Sequence, residues 1–427
     1  MPIDPETLET LRRQTDLAAL VAEHTPLKRR GSRLYGLCPF HQEDTPSFSV
    51  DPERSLFFCF GCQAGGDVFR FVMLASRLSF PEAVEYLARR AGIALKKREA
   101  TRHGPAASIT AALEAAAELF EIEIGKNPQA VRYLASRRIP PEIALAFGLG
   151  YTPSAWTGLR DALCPRFGSE LLERAGLLLR SSRSSSLYDR FRDRIMIPLR
   201  EPGGRLAGFA GRALTGAPPY LNSPDSGVFR KREILFGLPQ AEAAIRSRGR
   251  VVLVEGYFDV LAFAAAGVEE VVSPMGTHLA PEQVRLLPAA ARQVVLALDS
   301  DPAGREATRR MLSALLPSGR AVLSLELAEG HDPASLREAE GDGALLASLS
   351  RAKDALASEL ARIASSVPEG DTLAHAEAIT RSLKLLELLP EAALRISYAR
   401  LAGKLLDIPA SSLLAALSQK PHSSRLR

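Results

Sequence analysis

The sequence predicts a multidomain α/β protein in which a small cysteine-rich domain is followed by a mixed α+β basic subdomain, a parallel α/β sheet and a C-terminal helical subdomain. Two observations lead to this prediction. Three of the four cysteines fall between positions 38 and 62, and the later chain alternates short apolar runs with helical patterns before it ends in helices. At 427 residues the chain is also too long for one ordinary hydrophobic core, so several domains are expected.

The domain boundaries are placed where the composition changes. Lys96 to Ser108 is polar and aperiodic, as linkers are. Short β-type runs follow Ser186, and strands that alternate with helices, the pattern of a parallel sheet, begin at Val251. The predicted divisions are the cysteine-rich domain at 1–95, a linker at 96–108, a basic subdomain at 109–248, a sheet subdomain at 249–340 and a helical subdomain at 341–427.

Composition and charge narrow the class of protein. An apolar share of 46% and a charged share of 24% are typical of soluble globular chains, and no apolar run approaches the roughly 20 residues of a membrane-spanning helix. The first residues lack a basic and an apolar signal region, so we expect a cytoplasmic protein without a membrane partner.

The basic residues are concentrated in one segment. From Arg180 to Arg232 there are eleven Lys and Arg against four acids, a net +7 that exceeds the +5 of the whole chain. Such a segment suits a polyanion, because each neutralised phosphate releases counterions. A solvated charged surface is an alternative of equal weight.

The clustered cysteines indicate a metal. Cys38-Pro-Phe-His41 is followed, after seventeen residues, by Cys59-Phe-Gly-Cys62. Zn²⁺ takes four N/S ligands in a tetrahedron, and two such knuckles supply two ligands each. We expect Gly61 to permit the sharp turn of the second knuckle. Because protein fills all four positions, the site is predicted to be structural.

Five phenylalanines and two arginines surround these ligands. Aromatic and basic side chains together can stack on and grip single-stranded nucleic acid. We expect at least three of the phenylalanines to form the core of the small domain instead: Phe40, Phe48, Phe57, Phe58 and Phe60.

A second constellation consists of acids that follow predicted strands. Glu255 ends the run Val251–Val254, Asp299 and Asp301 follow Val294–Leu298, and Asp332 follows Ala321–Leu327. The carboxyl ends of parallel strands meet at one edge of a sheet, where chemistry is usually found. Gathered carboxylates suit Mg²⁺ or Mn²⁺, which orient phosphates for an in-line displacement. Taken singly, Asp299 and Asp301 could instead cap the helix that follows them, and Asp259 could cap its own helix.

These motifs, in this order, resemble the bacterial DnaG-type primases, and the resemblance runs through almost the whole chain. The zinc-ribbon part rests on the two knuckles and on Glu43 to Phe48. The sheet part rests on Glu255-Gly-Tyr-x-Asp259 and Asp299-x-Asp301, the signature of the TOPRIM fold of topoisomerases and some nucleases. The basic part rests on four segments: Asp189 to Pro198, Gly208 to Arg212, Tyr220 to Pro224 and Phe229 to Lys231.

The resemblance implies a DNA-dependent RNA polymerase that makes short RNA primers from ribonucleoside triphosphates on single-stranded DNA. Glu255, Asp299 and Asp301 are then the catalytic residues, and together with Asp332 they hold Mg²⁺ or Mn²⁺. One structural Zn²⁺ per chain lies in a domain that helps to select the initiation site, and the protein is expected to act as a monomer at the replication fork. The residues implied to bind phosphates are Arg190, Arg192, Arg194, Arg212, Asn222 and Lys231.

The chain departs from the family pattern at four points. Ala334 replaces a usual aspartate, and Pro219 and Ala146 replace a usual lysine and arginine, so we expect a weaker peripheral metal position and weaker phosphate contacts. Typical members also carry a C-terminal domain that docks on the replicative helicase. Here the chain ends soon after the helical subdomain, so we expect that domain on a separate protein or another route to the helicase.

Two competing hypotheses remain at this stage. A TOPRIM-type nuclease could use the same acids, and it would shorten DNA instead of making RNA. A catalytically weak primase relic would bind single-stranded DNA through its zinc domain, and Asp299→Ala would then change no activity.

Overall fold

The computed structural model describes residues 5–62, 64–76, 78, 80–93, 105–181, 186–216, 218–328 and 330–419. The chain divides into two compact units. Unit 1 comprises Met1–Ala135, Pro140–Pro198 and Phe209–Ser223, and unit 2 comprises Ser136–Ile139, Leu199–Gly208 and Pro224–Arg427.

Unit 1 begins with the cysteine-rich domain, an antiparallel sheet of five strands in the order β1-β2-β3-β4-β5 with four helices. Its core is aromatic. The rings of Phe48 and Phe57 stack 5.3 Å apart, and Phe40 and Phe71 pack against both. The prediction that at least three phenylalanines form the core is confirmed. The elements are α1 (Pro5–Gln14), α2 (Leu17–Ala22), β1 (Lys28–Arg30), β2 (Arg33–Gly36), β3 (Phe48–Asp51), β4 (Leu56–Cys59), β5 (Gly65–Gly66), α3 (Val68–Ser76) and α4 (Phe80–Ala91).

The remainder of unit 1 combines helices with a four-stranded antiparallel sheet of order β11-β10-β9-β6 and a two-stranded sheet, β7-β8. The predicted linker at 96–108 lies outside the described residues up to position 104, and its last four residues belong to α5. The elements are α5 (Pro105–Ile124), α6 (Pro128–Ser136), α7 (Pro141–Ala146), β6 (Gly150–Thr152), α8 (Gly158–Phe167), α9 (Ser169–Arg174), β7 (Leu178–Arg180), β8 (Leu187–Asp189), β9 (Arg194–Arg200), β10 (Leu206–Ala213) and β11 (Tyr220–Asn222).

Unit 2 is built on a five-stranded sheet of order β13-β12-β14-β15-β16. The first four of these strands run parallel, as predicted, and the valine-rich strands β12 and β14 are buried over all but their first residue, as is typical of parallel sheets. The antiparallel edge strand β16 was not predicted, since its two residues carry no apolar pattern. The elements are α10 (Leu238–Arg248), β12 (Arg250–Val254), α11 (Tyr257–Ala265), β13 (Val271–Val272), α12 (Pro281–Leu286), β14 (Gln293–Ala297), α13 (Pro302–Leu315), β15 (Ala321–Ser324) and β16 (Lys353–Asp354).

Helices complete unit 2. One hydrophobic core runs from the sheet into the last helices, because Leu386, Ala399 and Leu413 belong to the same cluster as the strand residues Val251 and Val294. Among the residues that the structure describes, no helix is long and apolar enough to span a membrane. The helices are α14 (Pro333–Glu340), α15 (Asp342–Ser350), α16 (Ala355–Ser365), α17 (Thr372–Glu387), α18 (Ala392–Leu405) and α19 (Ala410–Gln419).

Candidate functional site

The four predicted zinc ligands converge in one place, which we call the cysteine cluster: Cys38, His41, Cys59 and Cys62. Their ligand atoms all lie within 4.8 Å of one another. The Sγ atoms of Cys38 and Cys62 are 3.7 Å apart, and Sγ of Cys59 lies 3.8 Å from Nδ1 of His41. Two sulfurs that share a tetrahedral Zn²⁺ are separated by about 3.8 Å, so the spacing fits zinc.

Glu43 ties this cluster together, a role that the sequence did not reveal. Its carboxylate lies 3.2 Å from Nε2 of His41, which leaves Nδ1 of that ring for the metal. It also accepts the backbone N–H groups of Cys38 at 2.7 Å and Ser47 at 3.1 Å, and the hydroxyl of Ser47. These bonds orient the imidazole as carboxylate–histidine–zinc arrangements do. The signal in the sequence was an acid two residues after His41.

The expected reason for Gly61 was wrong. Its φ is not positive, so the turn does not require glycine. Instead, the imidazole of His41 packs on its Cα, and a Cβ there would lie 2.6 Å from Nε2 of His41 and 2.9 Å from Oγ of Ser47. A side chain at position 61 would therefore displace a zinc ligand.

The second site, the acidic cluster, consists of Glu255, Asp299, Asp301 and Asp332, all in unit 2. Glu255 directly follows β12, and Asp299 follows the adjacent strand β14. Burial and the negative charges of the neighbouring aspartates raise the pKa of Glu255 to about 6. Burial, with Asp332 and Asp301 beside it, also raises the pKa of Asp299 to about 6. These effects indicate that the carboxylates lie close enough to repel one another.

Asp301 and Asp332 also cap helices, as single acids in such positions often do. Oδ1 of Asp301 accepts the N–H of Gly304 at 2.7 Å, and Oδ1 of Asp332 accepts that of Ser335 at 2.6 Å. The cap uses one oxygen of each carboxylate. The helix caps thus fix the orientation of these acids, and no described residue donates a hydrogen bond to the second oxygen of either.

Asp259 accepts hydrogen bonds from two of the segments that carry the acids. Its fully buried carboxylate accepts the N–H of Gly256, next to Glu255, at 2.9 Å, and the N–H of Ala334, close to Asp332, at 3.3 Å. Burial and the neighbouring aspartates raise the pKa of Asp259 to about 7. As expected, Asp259 caps its own helix, because it accepts the N–H of Gly256. In addition, it accepts the N–H of Ala334, which belongs to α14.

Lys231 is the predicted phosphate ligand that lies in unit 2. Its Nζ is 3.5 Å from the position that a Cβ on Gly276 would take, and the N–H of Gly276 donates to the carbonyl of Glu255 at 3.0 Å. The exposed lysine thus stands near the backbone of a predicted catalytic residue.

The other predicted phosphate ligands lie in unit 1, and all four of the arginines among them donate hydrogen bonds within the protein. Arg194 is 8% exposed and donates to the carbonyls of Gly211 and Pro218, at 3.0 Å each. Arg190 is half-buried and donates to the carbonyl of Asn222 at 2.9 Å. These bonds hold the strands of the basic segment together.

Arg192 lies beside two aromatic residues that the sequence did not single out, in what we call the Trp156 cluster: Trp156, Tyr188 and Arg192. The guanidinium carbon lies 4.2 Å from the indole centroid and 5.2 Å from the phenol centroid. The indole is 63% exposed. Buried Asp189 fixes the group, because its N–H donates to the carbonyl of Trp156 and its carboxylate accepts two N–H groups at the start of α8.

Arg212 repeats this combination. Its Nε donates to the hydroxyl of Tyr133 at 3.0 Å, and its guanidinium carbon lies 4.8 Å from the ring centroid of half-exposed Tyr220. Exposed aromatic faces beside guanidinium groups are typical of surfaces that bind single-stranded nucleic acids.

Comparison with family models covers most of the chain. A CHC2 zinc finger model matches residues 3–103, the N-terminal domain of the DNA primase catalytic core matches 119–242, and a Toprim-like model matches 252–336. These matches agree with the zinc ribbon, the basic subdomain and the TOPRIM-type sheet that the sequence predicted.

Known proteins with similar sequence or structure are primases. A DNA primase of Pseudomonas aeruginosa is 38% identical over 368 residues, which are 82% of this chain and 55% of that protein. The zinc-binding and RNA polymerase domains of the Aquifex aeolicus primase share 34% identity and a TM-score of 0.73 over 96% of this chain and 99% of that one. A DnaG primase catalytic domain bound to single-stranded DNA shares 30% identity and a TM-score of 0.65 over 71% and 98%. The chain spans about half the length of the Pseudomonas relative.

Proposed function

The chain belongs to the DnaG-type DNA primases, and we propose that it is a DNA-directed RNA polymerase that synthesises short RNA primers on single-stranded DNA for replication. The observation that carries the proposal is the acidic cluster at the strand ends of unit 2. Glu255 and Asp299 are partly buried, and the negative charges of the neighbouring aspartates raise the pKa of both, so a bound cation would relieve this repulsion.

The acidic cluster is proposed to hold Mg²⁺ or Mn²⁺ through Glu255, Asp299, Asp301 and Asp332. Bound metal would orient the nucleotide phosphates and stabilise the charge that develops on them. No described residue donates a hydrogen bond to the side chain of Glu255 or Asp299, so both keep their oxygens for metal or for the proton of an attacking 3′-hydroxyl. The helix caps hold Asp301 and Asp332 in place.

The template and the nucleotide are proposed to bind to Arg192, Arg212 and Lys231. The related catalytic domain was solved with single-stranded DNA, and the Trp156 cluster offers a base-stacking face beside a guanidinium group. Lys231 would bind a phosphate because it is exposed next to Gly276, and Arg212 because its guanidinium group lies over the half-exposed ring of Tyr220. Arg190, Arg194 and Asn222 would act chiefly by shaping this segment, since their bonds join its strands.

The cysteine cluster is proposed to hold one structural Zn²⁺ per chain, in a domain that helps to choose the initiation site. With all four ligand positions filled by protein, the metal would supply fold stability. We further propose that the protein acts as a monomer at the replication fork in the cytoplasm.

A priming assay tests the proposed function. The wild-type protein, supplied with ribonucleotides, single-stranded DNA and Mg²⁺ or Mn²⁺, should produce RNA oligomers, and Asp299→Ala should reduce this by about a thousandfold or more. Glu369→Gln, which changes an exposed acid in the same unit, serves as the matched control and should retain full activity. Shortened DNA without new RNA would instead identify a nuclease, and equal activity of wild type and Asp299→Ala would overturn the proposed site.

A further inference from the structure

Gln283 is a buried amide whose hydrogen bonds reach beyond its own helix. The residue is 2% exposed, and its Oε1 accepts the N–H of Ala280 at 2.9 Å, a bond that glutamine or glutamate often makes at a helix start. Its Nε2 donates to three carbonyls outside the helix, those of Ile234 at 2.9 Å and of Lys231 and Pro274 at 3.3 Å each. Helix capping explains the oxygen but not the nitrogen.

One of these carbonyls, that of Pro274, belongs to the loop after β13. This loop also donates hydrogen bonds to the backbone carbonyl of Glu255. The hydroxyl of Ser273 donates to the carbonyl of Glu255 at 2.7 Å, and the N–H of Gly276 donates to the same oxygen at 3.0 Å. Between them, Met275 has a φ of +65°, which is rare for a residue with a side chain. Its N–H donates to Oγ of Ser273 at 2.8 Å, so the loop is fixed in a strained conformation.

A second carbonyl belongs to Lys231, whose Nζ reaches the same loop at Gly276. One side-chain amide therefore bonds both the backbone that carries the cation and the loop that supports the acid. From this geometry we propose that Gln283 is a positioning residue that sets the placement of Lys231 relative to Glu255. The inference rests on the function proposed above, in which these two residues serve nucleotidyl transfer.

The chemistry of the contact requires a donor. A glutamate at position 283 would keep the cap at Ala280 but would turn a carboxylate towards three carbonyl oxygens. A methionine would keep the length and the burial but donate nothing, and it would leave the carbonyls without that partner. Both substitutions should increase the mobility of the segment around Lys231 and of the loop around Gly276. The five-stranded sheet of unit 2 should remain folded.

The test uses the full chain as Gln283→Glu and Gln283→Met, with Ser382→Ala as the matched control for a buried polar group in the same unit. Priming kinetics give kcat and KM for the nucleotide, and hydrogen exchange reports the backbone at 231–235 and 273–277. We expect kcat/KM to fall about 10- to 100-fold in both variants, because catalytic groups displaced by about 1 Å lose rates of this size. Exchange should rise in those two segments and not in α16 to α19, and the control should change neither readout.

The outcomes separate the two proposals. A wild-type protein that makes no primer contradicts the proposed function itself. If wild type is active and both variants prime normally, the positioning role is overturned, even where exchange rises. Loss of exchange protection throughout unit 2 would mark Gln283 as a residue for stability alone, and would overturn the inference as well.

Discussion

The cysteine cluster and the acidic cluster hold cation-binding groups in opposite ways. In the cysteine cluster, Glu43 accepts hydrogen bonds from three neighbouring residues, and the four ligands are within 4.8 Å of one another. In the acidic cluster, Glu255 and Asp299 have no protein donor among the described residues, and the acids repel one another. In the cysteine cluster, protein groups supply all four ligands. In the acidic cluster, no hydrogen bond from a described residue offsets the negative charge of Glu255 and Asp299.

Under the proposed function, this difference distinguishes a metal that stabilises a domain from a metal that takes part in the reaction. Four protein ligands leave no position for a substrate, so zinc can only stabilise the fold. Unbalanced carboxylates lower the stability of the metal-free unit, yet they leave oxygens for metal, phosphate and hydroxyl. We therefore expect removal of ligands to have opposite effects on stability at the two sites.

The largest effect is expected at the cysteine cluster. Cys59→Ser, or removal of zinc by a strong chelator, should unfold the N-terminal domain, because structural zinc binding contributes on the order of 10 kcal/mol to folding. Circular dichroism and hydrogen exchange at β2 to β4 would measure it. Cys164→Ser, which changes the cysteine outside the cluster, should leave both unchanged. If the N-terminal domain stays folded without zinc, the structural role given to the metal in the cysteine cluster is contradicted.

A smaller effect is expected from the hydrogen-bonding partner of the zinc ligands. Glu43→Gln weakens the bonds to His41 and Cys38, and should lower zinc affinity about 10- to 100-fold, as such substitutions generally do. Competition with a colorimetric chelator measures the affinity. Asp44→Asn, the exposed acid next to it, is the control, and an equal loss in both variants would contradict the role given to Glu43.

The ease of predicting each cluster from the sequence follows from the distances along the chain. Each zinc knuckle is local, so the spacing of Cys59 and Cys62 was enough to predict two ligands. The acids were predictable because parallel strands align their carboxyl ends, which turns a one-dimensional pattern into a shared edge. The parallel sheet was predictable from its alternation of apolar runs and helical patterns, whereas the TOPRIM-type subdomain was predicted from the resemblance of its motifs.

The remaining features depend on contacts between distant segments. Trp156 contacts Arg192, which lies 36 positions later in the sequence, and Gln283 donates a hydrogen bond to Lys231, which lies 52 positions earlier. Neither pairing produces a periodic pattern in the sequence. The role of Gly61 was also misjudged, because it depends on a contact with a distant residue. Glycine is needed there to leave room for the imidazole of His41, and not to form the turn. The bonds of Arg194 to Gly211 and Pro218 were hidden for the same reason, since a basic motif does not distinguish a surface cation from a buried one.

At the acidic cluster the expected effect of removing a ligand is a gain in stability. Asp299→Asn removes one of the repelling charges, so the metal-free protein should be more stable by about 1 kcal/mol, a figure that discounts the raised pKa for partial exposure to solvent. Chemical denaturation in the presence of a chelator of Mg²⁺ measures it. Added Mg²⁺ should stabilise wild type and not the variant. A variant that is less stable without metal would contradict the unbalanced charge.

The smallest effect is the pH dependence of that gain. Glu255 and Asp299 have pKa values of about 6 in the folded protein, above their ordinary values, so the folded state binds more protons than the unfolded state between those limits. Stability must then fall as pH rises through about 4 to 7, and the penalty is complete above pH 7. The advantage of Asp299→Asn over wild type should therefore shrink from pH 7.5 to pH 5, as measured by denaturation without metal at each pH. Saturating Mg²⁺ should abolish this trend in wild type, because the cation replaces the protons, whereas an advantage that grows on acidification would reverse the assigned sign.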